Sequence, residues 1–235
     1  GDVVLDALWQ NLDDDYQVLG DIDIGGPTDP VVVIEDQAVF LFDTATELTA
    51  GVADDGALII AAPVGVTMTS SNAAPVEGDW KGIQIGRNGP FADQTSISGL
   101  TVEFAGGSDL TLGGAIDVLD RDACTTIEPL QSLDRITILA SSKAGVFAEA
   151  SATIGLSDVT VAGSLDACFR FDGTPSCSVH VAEFSNIDCQ AGTSFGTFPI
   201  ISAGELDTSS TFPGPVIVPQ PQPAPTPTPP PTNQD

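Results

Sequence analysis

Four stretches decide how this chain is read: Ile97-Ser-Gly-Leu100-Thr-Val102, Leu133-Asp-Arg-Ile136-Thr-Ile138, Leu156-Ser-Asp-Val159-Thr-Val161 and Phe184-Ser-Asn-Ile187-Asp-Cys189. Each is an apolar residue, two polar or small residues, an apolar residue, a polar residue and an apolar residue. The starts lie 36, 23 and 28 residues apart. A second echo, Ala144-Gly-Val146-Phe147 against Ala167-Cys168-Phe169, begins 11 residues after Leu133 and 11 after Leu156. Such a unit is too short to bury its own apolar face. It gains a core only by stacking on the next unit, with insertions of unequal length looping out between them.

Outward from these stretches the text stays β-rich. Val31–Ile34, Val39–Phe42, Ala57–Ala61 and Gly82–Ile85 are short runs of β-branched and apolar residues, punctuated by Gly, Asn, Asp and Pro. Two-residue hairpin turns are few, which disfavours the alternative of an antiparallel sandwich. The pattern predicts an all-β, right-handed parallel β-helix over residues 16–212. At the start, Leu5, Leu8, Trp9 and Leu12 fall at helical spacing. A short amphipathic helix within residues 1–15 is therefore expected to cap the open end of the stack. From Pro213 to Asp235 there are ten prolines in 23 residues. That composition predicts an extended polyproline-II tail or linker.

The charge balance excludes whole classes of function. The 235 residues carry 33 Asp and Glu against 6 Lys and Arg, a formal net charge of −27. No basic residue precedes Lys81. Binding to nucleic acid or to an anionic membrane needs clustered cations, so neither is expected. No apolar run has the length of a membrane span. Two readings of the acidity remain: solubility in a salty medium, where counter-ions screen the repulsion, and binding of a hard divalent cation. For calcium the candidates are Asp13, Asp14 and Asp15, with Asp21 and Asp23; Asp54 and Asp55 form a further acidic pair.

Cys124, Cys168, Cys177 and Cys189 allow three disulfide pairings. No C-x-x-C occurs, and His180 is the single histidine, which gives little support to zinc. An even count in a chain that reads as an exported, processed product suggests two disulfides. A local Cys168–Cys177 bridge would leave Cys124–Cys189; four buried free thiols are the alternative.

The run Gly78-Asp79-Trp80-Lys81-Gly82-Ile83, with its lead-in Val66-Thr-Met-Thr-Ser-Ser71 and Pro75, resembles a motif of secreted bacterial right-handed parallel β-helix proteins, a pectate-lyase-like solenoid family. Leu100-Thr-Val-Glu-Phe-Ala-Gly106 resembles the following coil, and Trp9 with Tyr16-Gln-Val18 resembles the first. The resemblance spans roughly residues 9–200 and concerns the fold, which hosts lyases, hydrolases, adhesins and inert scaffolds alike. It implies a structural place for Trp9 and for Trp80, the latter covering one side of the stack. Lyases of this fold use Ca²⁺ with a basic residue as proton acceptor. Here Lys81, Arg87, Arg121, Arg135, Lys143 and Arg170 form no cluster in the sequence. Asp117, Asp120 and Asp122 share one run, but among 33 acids such pairs carry no weight. His180 alternates with Val179 and Val181 and reads as a surface residue.

No catalytic residue is assigned on these grounds. The expectation is a non-catalytic branch of that family: a secreted structural or interaction protein that self-associates head to tail into a filament or surface layer. The apolar segment Val216-Ile217-Val218 is expected to dock on a neighbouring copy. A surface adhesin that binds extracellular glycans is the alternative, and a polysaccharide lyase or hydrolase follows it.

Overall fold

The computed structural model describes residues 1–12, 14–86, 94–107, 113–119, 131–149, 152–173, 179–190 and, for the backbone alone, 200–202. Its strands form two sheets, and every pairing among the described residues is parallel. The chain visits the sheets in alternation. An eight-stranded sheet takes β1 (Asp2–Val3), β4 (Ile22–Ile24), β7 (Glu47–Ala50), β9 (Gly82–Ile85), β11 (Gly114–Val118), β13 (Ala144–Glu149), β15 (Phe169–Asp172) and β18 (Ile200–Ser202). A ten-stranded sheet takes the remainder: β2 (Ala7–Trp9), β3 (Tyr16–Val18), β5 (Val31–Ile34), β6 (Val39–Phe42), β8 (Ala57–Ser70), β10 (Ser96–Glu103), β12 (Gln131–Leu139), β14 (Thr153–Ala162), β16 (His180–Ser185) and β17 (Asp188–Gln190).

One core is shared by the two sheets, built as ladders of side chains aligned on neighbouring parallel strands. In the ten-stranded sheet the register aligns Trp9, Ile34, Ile60, Ile97, Leu133, Leu156 and Phe184. A second ladder aligns Tyr16, Phe40, Met68, Val102, Ile138, Val161 and Cys189. Across the core, Ile22, Leu48, Ile83, Ile116, Val146 and Phe169 line up in the eight-stranded sheet. Tyr16 stacks on Phe40 with ring centroids 4.7 Å apart, and Phe42 stacks on Trp80 at 4.2 Å. The four repeat stretches fall into register residue by residue.

The two small or polar residues inside each repeat have separate duties. The first faces outward: Ser98, Asp134 and Ser157 align, and both serine hydroxyls donate to the Asp134 carboxylate at 2.7 Å. The second turns a corner in the left-handed region: φ is +81° at Gly99, +52° at Arg135, +52° at Asp158 and +51° at Asn186. β-branched residues are disfavoured in that region, so none stands at this position. A second row of left-handed corners follows the strands at Phe104, Ala140 and Gly163.

Two expectations are corrected. No helix forms at the start of the chain, and no α-helix appears among the described residues. Asp2–Val3 and Ala7–Trp9 are instead the first strands of the two sheets. Ala7 and Trp9 pack toward the core, while Leu5, Leu8 and Leu12 remain exposed. Pairing with β5 takes up backbone groups that a helix would have satisfied internally: the Glu35 N–H, just after β5, donates to the Trp9 carbonyl at 2.9 Å. The expected local Cys168–Cys177 bridge is also wrong, and with it Cys124–Cys189. Cys168 is bonded to Cys189, with a Cα–Cα distance of 5.9 Å. Stacking brings Cys189 into register with Val161, whose carbonyl the Cys168 sulfur approaches at 3.9 Å. Proximity across circuits wins over proximity along the chain. Cys124, Cys177 and the proline-rich tail lie outside the described residues.

Candidate functional site

The Gly78-Asp79-Trp80 run is a structural corner. Trp80 is fully buried and its indole N–H donates to the Glu103 carbonyl at 2.8 Å. A buried ring has no face to offer a ligand. The Asp79 carboxylate accepts from the Ser70 hydroxyl at 2.8 Å and the Val76 N–H at 3.1 Å, holding the lead-in loop against the stack. Partial burial works to raise its pKa, but hydrogen bonds from Asn72, Val76 and Ser70 outweigh it and leave the carboxyl below its ordinary value. Trp9 is half-buried at the open end, 5.6 Å from Phe40.

The polar chemistry gathers on the outer face of the eight-stranded sheet. Register places Asp2, Asp23, Thr49, Gln84, Asp117, Phe147 and Arg170 in one outward row, one residue per strand. Beside it, Glu47 accepts from Gln84 Nε2 at 3.2 Å and pairs with Lys81 Nζ at 3.4 Å. Arg170 pairs with Asp166 at 3.1 Å and with Asp172 at 3.4 Å. Val52, Leu119 and Phe147 form a small apolar cluster on the same face.

Asp117 is the unusual member. It is only 1% exposed although its strand position points it away from the core. Its Oδ1 accepts the Gly114 N–H at 2.5 Å. Burial pushes its pKa up to about 7, with Glu47 and Glu149 adding to the rise and Gly114 and Lys143 opposing it. A carboxyl in that condition holds a proton close to neutrality. It is sealed from solvent.

The acidic candidates for calcium are distributed unevenly. Asp21 and Asp23 line one cavity of about 400 Å³ with Asp2, Glu47, Thr49 and Gln84. Their carboxylates are already engaged: Asp21 Oδ1 accepts the Glu47 N–H at 3.1 Å, and Asp23 Oδ1 accepts the Thr49 hydroxyl at 2.7 Å. Asp14 and Asp15 are exposed in the turn before β3, and Asp13 lies outside the described residues. Among the described residues no group of three or more His, Cys, Asp or Glu side chains is placed to hold a metal ion. His180 is half-exposed between buried Val179 and Val181. Val216, Ile217 and Val218 fall outside the described residues.

Sequence reasoning missed the site that stands out most as an interaction surface, the open end formed by β1, β2 and β3. Nine large apolar side chains are exposed among the described residues, and five of them, Val4, Leu5, Leu8, Leu12 and Leu19, precede residue 20. The helical spacing of the leucines concealed them, because it implied a buried face. Among the described residues no helix is long and apolar enough to cross a membrane. No protein-family model, no curated protein and no solved structure matches this chain.

Proposed function

We propose that the chain is a secreted, right-handed parallel β-helix that serves as a structural module and self-associates end to end. Support for the β-helix comes from the strict alternation between two parallel sheets, joined by connections of the kind that are right-handed in nearly all proteins. Support for an oxidising, extracellular location comes from the Cys168–Cys189 disulfide. The observation that carries the function is the concentration of exposed apolar side chains at the end where both sheets present an unpaired edge. Such an edge is a template for further strands, and proteins that do not use it blunt it with charge, proline or a cover. A second copy supplying its last strands would satisfy both the backbone groups and the leucines, and a contact of that head-to-tail type propagates into a filament.

The net charge of −27 opposes any contact between copies. Screening at about 1 M salt shortens the reach of that repulsion to about 3 Å, so association should strengthen with salt. Sedimentation velocity and negative-stain microscopy of the full chain, at about 0.1 M and about 1 M salt, test the reading. The expected result is growth in mass with concentration and with salt, and loss of that growth in a Leu5→Asp/Leu8→Asp variant that keeps its β circular dichroism. A monomer under all these conditions, or a variant that assembles as well as the parent, overturns it.

A further inference from the structure

The open end carries a second feature, on its flank. Leu8, Val33 and Ile59 align outward across three adjacent strands of the ten-stranded sheet. Leu8 is 54% and Val33 36% exposed, and Ile59 is half-buried. Farther along the same row stand Ser96, Ser132 and Gly155, so the apolar stripe is confined to the first three strands. A shallow cavity of about 410 Å³ opens on it, lined by Asp6, Ala7, Leu8, Val31 and Val33. Exposed apolar rows of this kind on a sheet face mark a surface that something covers.

We infer that the stripe is the landing site of the chain's own C-terminal segment, through Val216 and Val218. Three observations select this occupant. The first is charge. Residues 208–234 contain no ionisable side chain, in a chain of net charge −27. That segment approaches the acidic surface without repulsion, whereas the flank of a second copy would bring its own negative charge. The second is conformation. Val216-Ile217-Val218 sits between Pro215 and Pro219, and a following proline disfavours the helical region at Val218, so the sequence favours an extended run that would lose little freedom on docking. In an extended run Val216 and Val218 share one face, matched to a flat apolar row. The third is reach. Fourteen residues separate Ser202 from Val216, about 46 Å when extended. Ser202 lies on β18, and five strand spacings, about 24 Å, separate β18 from β7, the strand that follows β5 and β6 in the chain. The segment is therefore long enough to reach the stripe of its own chain.

This inference deepens the stacking reading and stands apart from it in its test. A photo-crosslinking amino acid is placed at Val33 in the full-length chain, with the same group at outward-facing Thr137 of β12 as the comparison. Irradiation followed by peptide mass spectrometry should join position 33 to the peptide containing residues 216–218, and position 137 to none of it. A Val216→Asp/Val218→Asp variant should lower the yield from position 33 at least about tenfold, since two buried valines contribute more than the free energy of one decade in affinity. Absence of tail peptides at position 33, equal yield at position 137, or a yield untouched by the two aspartates overturns the inference. A chain that sediments as a monomer yet cross-links from Val33 to the tail sinks the stacking reading and leaves this one standing; a chain that stacks without the cross-link does the reverse.

Discussion

Replacing Asp117 by Asn tests the buried proton directly. The Asn side-chain oxygen preserves the acceptor for the Gly114 N–H, and only the ionisation is removed. In the unfolded chain the carboxyl returns to its ordinary value of 3.8, whereas in the folded chain it stands at about 7. Between those values the unfolded state has lost the proton and the native state retains it. The native state binds more protons, so stability falls as pH rises through this window and levels off above it. A difference of about three units corresponds to about 4 kcal/mol, of which about 2 kcal/mol is already lost at pH about 5.5. The Asn variant has no such loss. Its stability relative to the parent should therefore climb by about 4 kcal/mol between pH about 4 and pH about 8, and all other titrating groups cancel in the comparison. Urea unfolding followed by circular dichroism reads this as a widening gap in midpoint, about 2 M for a urea dependence of about 2 kcal/mol per molar. A gap that stays constant across that range would show that Asp117 ionises at its ordinary value, and the argument from its burial would fall with it.

Other perturbations bear on the stack itself. Gly99→Ala should destabilise by more than about 2 kcal/mol, since position 99 has φ +81° and an added Cβ would run into the Ala62 carbonyl oxygen; Gly20→Ala, where a Cβ meets open space, should stay within about 0.5 kcal/mol in the same thermal melts. Cys189→Ser opens a loop with a sequence separation of 21 and should cost about 3 kcal/mol. Hydrogen exchange should show the lost protection concentrated in β15, β16 and β17. Asp134→Ala removes the acceptor shared by Ser98 and Ser157, whose hydrogen bonds, joined by Arg135, hold the Asp134 carboxyl below its ordinary value. A depressed acid stabilises above its unfolded value of 3.8 and loses that contribution as pH falls through the folded one. The parent's advantage over Asp134→Ala should thus shrink on acidification below about pH 4 in pH-dependent urea titrations; an advantage that grows there would refute the hydrogen-bonded reading.

Much of the stack was legible because it repeats. The frame shared by Ile97, Leu133, Leu156 and Phe184 predicts the register found between β10, β12, β14 and β16. The apolar positions of that frame must touch their own counterparts, so like residues recur. The helix at the start was misread because helical spacing presupposes a face to bury. Leu5, Leu8 and Leu12 bury none, and the backbone of residues 7–9 gains more from pairing with β5 than an isolated short helix gains in water. The disulfide was misread for a related reason. Closeness in sequence favours Cys168–Cys177, but parallel pairing of β14 with β17 sets Cys189 beside Val161, next to Cys168.

The outer face of the eight-stranded sheet shows why a site in this architecture resists linear reading. Its polar row takes one residue from each strand: Asp23, Thr49, Gln84, Asp117 and Arg170 are separated by more than twenty residues at every step. No motif search joins them, because the connections between strands vary in length and carry no constraint from the row. The acidic residues that do catch the eye, such as Asp14 and Asp15, are exposed ahead of a strand and belong to no such row. In parallel sheets of this kind a polar row is therefore written across strands and not along the chain. A carboxyl such as Asp117 becomes exceptional through its burial among neighbouring strands, with Glu47 on one side and Glu149 and Lys143 on the other as lesser influences. The same logic applies to the end formed by β2: it lacks a neighbour on one side, so Trp9 is only half-buried where its counterparts Ile34 and Ile60 are buried.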